Sequence, residues 1–252
     1  MTYPPLGVQL IVFSGQTDLI ANAADVLDAV KAAGFEAIEC GVTMYAHAPE
    51  VFKEMLKARQ LRVAGFHGSL DQDLDQTLRL MEMYGAQDLC ISNLGGWENT
   101  LAENYRRDLE RLNEMGRICA EHGVRVHYHN HAYEFSPTDE GCLGIELILA
   151  EMDRSVVDLC VDVAWVHIAA HDPALFLRRV GDLVGYVHLK DYTGDRKWVE
   201  LGYGVVPLDS VMRAIGELKR VRWVVYEQDT SDRPAAESCA ISREYLRSTY
   251  GY

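Results

Sequence analysis

Short apolar runs alternate with longer stretches of mixed apolar and polar residues along the whole chain. The runs lie at residues 6–13, 35–41, 61–68, 86–93, 124–131, 156–163, 183–191 and 221–229, and are rich in β-branched and aromatic side chains, which predicts strands. The stretches between and after them, at residues 18–33, 49–59, 71–84, 98–122, 142–151, 172–180, 207–219 and 234–249, predict amphipathic helices. Gly34 and Gly123 stand where a helix would end in a left-handed cap. Pro173 and Pro207 stand near a first helical turn, where a missing N–H costs nothing. Strict alternation of strand and helix implies parallel strands joined by right-handed crossovers. Eight repeats predict an α/β fold of the (β/α)₈ TIM barrel type, a single domain over residues 1–252, with an open doubly wound sheet as the alternative. The early glycines form no GxGxxG pattern, so a dinucleotide site has no support.

Successive side chains of a strand face opposite ways. In "VRVHYHNH" this puts Val124, Val126 and Tyr128 on the outer face and Arg125, His127, His129 and His131 on the inner one, with Glu134 just beyond. The same alternation turns His67, Cys160, Asp162, His188, Lys190, Trp223, Val225 and Glu227 inward. Active sites of such barrels lie at the C-terminal mouth. Glu134, Asp162, His188 and Glu227, from the last four strand ends, could therefore meet at one point. Three carboxylates and an imidazole in a confined mouth would repel one another and shift each other's pKa values, a conflict that one divalent metal ion removes. The oxygen-rich set favours Mn²⁺, the first expectation, or Mg²⁺, with Co²⁺, Fe²⁺ and Zn²⁺ admitted. Taken singly, each residue also has a structural role open to it, as a hydrogen-bonded interior histidine, a turn former or a helix cap.

Composition narrows the partners. A net charge of −14 argues against nucleic acid, whose binding needs a basic surface, and leaves a small neutral or modestly charged ligand. The chain has no apolar run long enough for a membrane span, and its N-terminal residues lack the basic region and cleavage site of a signal peptide. The 6 cysteines have no zinc-like spacing and fit reduced thiols in a cytoplasmic protein.

The motifs "HNHAYEF" (129–135), "CVDVAWVHIAAHDP" (160–173), "VHLKDY" (187–192), "ELGYGVVPLD" (200–209), "YEQD" (226–229) and "SCAISREYLRS" (238–248), in this order, give the chain its family likeness. It resembles the sugar phosphate isomerase/epimerase family of xylose isomerase-like TIM barrels, over nearly its whole length. The resemblance implies one catalytic divalent metal held by Glu134, Asp162, His188 and Glu227, with His129 the alternative to Glu134 on the fifth strand. It implies a sugar-like substrate that chelates the metal through a carbonyl and a neighbouring hydroxyl, and a homodimer as the assembly to test. One departure is Tyr203, in "LGYG" where many relatives read "LGEG".

A metal that polarises a carbonyl acidifies the adjacent C–H and stabilises the enediolate left by proton removal. The expected activity is that of a metal-dependent isomerase or epimerase of a ketose, aldose or keto-sugar. The alternative is a lyase that dehydrates a keto-inositol or eliminates from a 3-keto sugar. The resemblance implies that the metal-bound glutamates, Glu134 and Glu227, are the proton-transfer groups. His129 and His131 are further candidates, either for proton transfer or for orienting the ligands. His67, Lys190 and Trp97 are expected to contact substrate. His167 and His171 read as structural or exposed. No multi-arginine phosphate clamp is present, so the substrate is expected to be unphosphorylated.

Overall fold

The computed structural model describes residues 3–252 and closes the chain into an eight-stranded parallel barrel. Its first strands are β1 (Leu6–Gln9), β2 (Ala37–Gly41), β3 (Arg62–Gly68), β4 (Asp88–Ile91), β5 (Arg125–His129), β6 (Val157–Asp162) and β7 (Val184–Leu189). A small antiparallel hairpin follows, β8 (Asp191–Tyr192) with β9 (Trp198–Val199). The last barrel strand, β10 (Trp223–Tyr226), pairs with both β7 and β1 and shuts the barrel. The predicted helices form at Ala23–Ala33, Pro49–Ala58, Leu74–Tyr84, Ala102–Glu121, Gly144–Glu151, Pro173–Arg179, Leu208–Glu217 and Ala235–Tyr250. Gly34 caps the first of them with φ of 93°. None of the helices among the described residues is long and apolar enough to cross a membrane.

The strands stop sooner than their apolar runs, because the chain must turn at the barrel rim. The first run leaves the strand at Gln9, whose Oε1 accepts the Ile11 N–H at 2.7 Å, and Ile11–Ser14 is helical. Short helices also start at the ends of β2 (Val42–Ala46) and β6 (Val163–Ile168). Strand alternation divides the interior in two. Outward residues such as Val126, Tyr128, Leu159, Val161, Val187 and Val224 join the large core beneath the helices. Full burial of each such aliphatic side chain favours folding by about 1.5–3 kcal/mol. Ala37, Ala64, Cys90, Cys160, Tyr186, Trp223 and Val225 form a separate cluster inside the barrel.

Below that cluster, at the N-terminal end, buried charge is paired. Arg125 and Arg220 reach Asp158 Oδ1 at 2.6 and 3.1 Å, and Arg222 and His127 reach Asp88 Oδ1 at 2.6 and 2.8 Å. Gly185 leaves room for this arrangement, since a Cβ there would lie 2.6 Å from His127 Cε1.

Candidate metal centre

The register places the mouth residues side by side. Asp162 pairs with His188 across β6 and β7, His129 ends β5 one strand away, and the Glu227 N–H extends the ladder by donating to Leu189 C=O at 2.9 Å. One donor atom from each of His129, Asp162, His188 and Glu227 lies within 4.8 Å of the others, and all four residues are buried. His129 Nε2 is 3.8 Å from Asp162 Oδ2 and 3.7 Å from Glu227 Oε2, while His188 Nδ1 faces Glu227 Oε2 at close range. None of these four atoms has a hydrogen-bond partner outside the group. A buried polar atom without a partner costs about 1–3 kcal/mol. Four of them turned into one space form a donor set that fits a divalent cation.

The other atoms of the same side chains are tied down, which fixes their aim. Asp162 Oδ1 caps the helix Val163–Ile168, accepting from the N–H groups of Ala164 (2.9 Å) and Trp165 (3.0 Å). The Asp162 main chain is gripped by the side-chain amide of Asn130. His188 Nε2 meets Glu39 Oε2 at 3.0 Å. Glu227 Oε1 accepts from Lys190 Nζ at 3.0 Å. Burial alone would raise the Glu227 carboxyl, but the charges of Lys190 and His188 outweigh it and hold the group well below its usual range.

Glu134 does not join this group, and His129 takes the fifth-strand place. The strand ends at His129, and the chain turns through Asn130–Ala132 into a single 3₁₀ turn at Tyr133–Phe135, so alternation cannot be carried past the turn. The Glu134 carboxylate is instead enclosed by the Tyr128 hydroxyl, which donates to Oε1, and the His131 N–H, which donates to Oε2 at 2.9 Å. Tyr128 belongs to the outer face, which explains the direction. Burial pushes the Glu134 carboxyl up to about 7.

The remaining expected residues gather at the mouth. The His67 ring lies 5.4 Å from that of His129 and 6.2 Å from that of His188. His131 sits 4.9 Å from His129, between Trp97 at 4.5 Å and Trp165 at 5.4 Å. Trp97 is 64% exposed, so its indole is free to form a wall above His131. Lys190 points inward but pairs with Glu227 and Asp229, not with Asp191. The Asp191 carboxylate instead accepts the N–H groups of Gly202, Gly204 and Val206 and so folds the loop that carries Tyr203. Gly204 is required there, because a Cβ would fall 2.1 Å from Asp191 Oδ1. Tyr203 itself is exposed, and His167 bonds the Tyr192 hydroxyl at 2.9 Å.

Glu39, which carries no role in the sequence motifs, is fully buried and bridges His188 and His67, the latter at 3.1 Å through Nδ1. Alternation on β2 turns it inward with Ala37, so the signal was present. Burial would raise its carboxyl, but the two imidazoles outweigh this and hold it at about 2. Trp165 and Trp198, which cover Lys190, were also not anticipated.

Residues 27–249 match the family described as xylose isomerase-like TIM barrel. Among curated proteins, the chain is 22% identical over 171 residues to an inosose dehydratase of Clostridium beijerinckii, an alignment that covers 60% of this chain and 56% of that protein. The chain thus spans little more than half the length of that relative. A Bacillus velezensis protein of the same name aligns over 88% of this chain and 87% of its own length at 24% identity. Among solved structures, a sugar phosphate isomerase/epimerase from Parabacteroides distasonis superposes with a TM-score of 0.82 at 19% identity, covering 99% of this chain and 96% of that one. The IOLI protein with a bound zinc atom has the same fold, with a TM-score of 0.73, 14% identity and 97% of each chain covered.

Proposed function

The chain belongs to the xylose isomerase-like TIM barrel family, and from that premise we propose that it is a divalent-cation-dependent dehydratase of a polyhydroxylated ketone of the keto-inositol kind. The cation would be held by His129, Asp162, His188 and Glu227. With two imidazoles and two carboxylates, this set is softer than the one the sequence led us to expect, and it favours Mn²⁺, Fe²⁺, Co²⁺ or Zn²⁺ over Mg²⁺. When bound, the cation polarises the substrate carbonyl and lowers the barrier to losing the neighbouring C–H proton.

The choice of reaction is carried by the curated relatives named inosose dehydratase, and two histidines beside the donor group are at hand for its proton transfers. His131 is pushed down to about 3, chiefly by burial, so its imidazole is neutral and its buried Nδ1 lacks a partner. Burial would also lower His67, but its hydrogen bond to Glu39 outweighs this and raises it. One ring is held without a proton and the other is biased towards carrying one. His131 removes the proton next to the carbonyl. His67 protonates the departing hydroxyl through Nε2, the nitrogen now turned to Ser92 Oγ at 3.3 Å. The C–H and C–O bonds break, a C=C bond forms, water leaves, and the two histidines exchange protons with solvent to reset. In this reading Glu227 is assigned to holding the cation, since Lys190 occupies one of its oxygens and the donor group includes the other.

The curated relatives named inosose dehydratase support the same reaction and a keto-inositol substrate. The competing reading is isomerisation or epimerisation of a ketose or aldose. Incubation with each substrate class in D₂O, followed by NMR and mass spectrometry, separates the two. Loss of water from a keto-inositol is expected. Deuterium uptake with no loss of water would overturn the dehydratase.

A further inference from the structure

Lys190 is an unusual object for an active-site mouth, because it is a fully buried ammonium in the midst of three carboxylates. Its Nζ lies 2.8 Å from Asp229 Oδ2, 3.0 Å from Glu227 Oε1 and 3.9 Å from Asp162 Oδ2. It also sits 4.3 Å from the ring centre of Trp198 and 5.3 Å from that of Trp165. An ammonium has three N–H donors. Two are spent on Glu227 and Asp229, and the third is left with the indole faces and Asp162. Two of the three carboxylates, Asp162 and Glu227, are also members of the donor group.

We propose that Lys190 is a positioning residue, an internal counter-cation that fixes Glu227 and competes with the divalent ion for Asp162 and Glu227, and so sets how tightly that ion is held. The proposal rests on the reading of His129, Asp162, His188 and Glu227 as a cation site. Like charges so close together, shielded from water, oppose one another strongly. Lys190 therefore stabilises the ion-free mouth and weakens the ion-loaded one. Asp229 moderates this competition. It draws Lys190 away from the donor group, and its side chain is the most exposed of the three carboxylates, at 28%.

The test is a calorimetric titration of the whole protein, stripped by chelator, with Mn²⁺ alone, coupled to thermal unfolding with and without Mn²⁺. K190M should tighten Mn²⁺ binding about tenfold or more. It should also lower the melting temperature of the stripped protein and enlarge the rise in that temperature on adding Mn²⁺. D229N should do the reverse, weakening Mn²⁺ binding several-fold, and so tests the idea even if K190M does not fold. K190R, which keeps the charge, should bind Mn²⁺ much as the unmodified protein does. A substrate contact would leave Mn²⁺ affinity unchanged and raise KM alone. A purely structural lysine would lower both melting temperatures equally. Either result overturns the proposal, as does D229N binding Mn²⁺ more tightly. A silent titration of the unmodified protein overturns the cation site and this role together, whereas a normal one with unaltered variants overturns this role only.

Discussion

At the N-terminal end of the barrel, Asp158 is closed by Arg125 and Arg220, and Asp88 by His127 and Arg222. At the C-terminal end, His129, Asp162, His188 and Glu227 each keep a buried polar atom with no hydrogen-bond partner outside the cluster. The contrast separates two uses of buried charge. A satisfied pair holds strands in register, and breaking it strands an uncompensated charge. An unsatisfied cluster is costly to the fold and persists where something outside the chain completes it. The atoms behind the cluster show that the cost is confined: Asp162 Oδ1, His188 Nε2 and Glu227 Oε1 are all partnered.

Substitutions at the two ends should therefore fail in different ways. The largest effect is expected from Asp162→Ala or His188→Ala, which should abolish activity and stoichiometric metal together while the protein stays folded, as read by elemental analysis and circular dichroism. Variants with full metal content would break the comparison at its upper end. Asp158→Ala should do the opposite, costing about 3–5 kcal/mol of stability in denaturant titration while activity per folded molecule and metal content hold. Next in size is Glu39→Gln. It should weaken metal binding about 10- to 100-fold, because a carboxylate that orients a ligand histidine is lost; unchanged affinity would make Glu39 a mere interior acid.

The smallest effect on the metal should come from Glu134→Gln, with unaltered metal content and a changed pH dependence of stability. The Glu134 carboxyl stands at about 7, against an ordinary value of 4.5. Between those values the folded chain binds more protons than the unfolded one, so this group makes stability fall as pH rises from about 4.5 to about 7, by about 3 kcal/mol in all. Chemical denaturation at a series of pH values should show that slope in the unmodified protein and lose it in the variant. A Glu134→Gln protein that loses its metal would return the fifth-strand place to Glu134.

The barrel and most of its mouth were legible because both follow from a period of two. Alternation along β6, β7 and β10 placed Asp162, His188 and Glu227 with no help from tertiary contacts, and the same rule put His67 and Lys190 inside. It failed at Glu134 because it was applied beyond the last strand residue, where a 3₁₀ turn resets the direction of each side chain. The short helices Val42–Ala46 and Val163–Ile168 carry too few residues for a helical period to be seen. Trp198 reaches Lys190 from a hairpin that only the folded chain defines. Which oxygens of Glu227 and Asp162 are spent, and which are free, is a matter of contacts between distant segments and has no local signal.

The most direct test is anomalous diffraction at the manganese edge from crystals grown with Mn²⁺. A single strong peak among His129 Nε2, Asp162 Oδ2, His188 Nδ1 and Glu227 Oε2 is the expected result. A peak beside the Glu134 carboxylate, or a mouth without any peak, would contradict it.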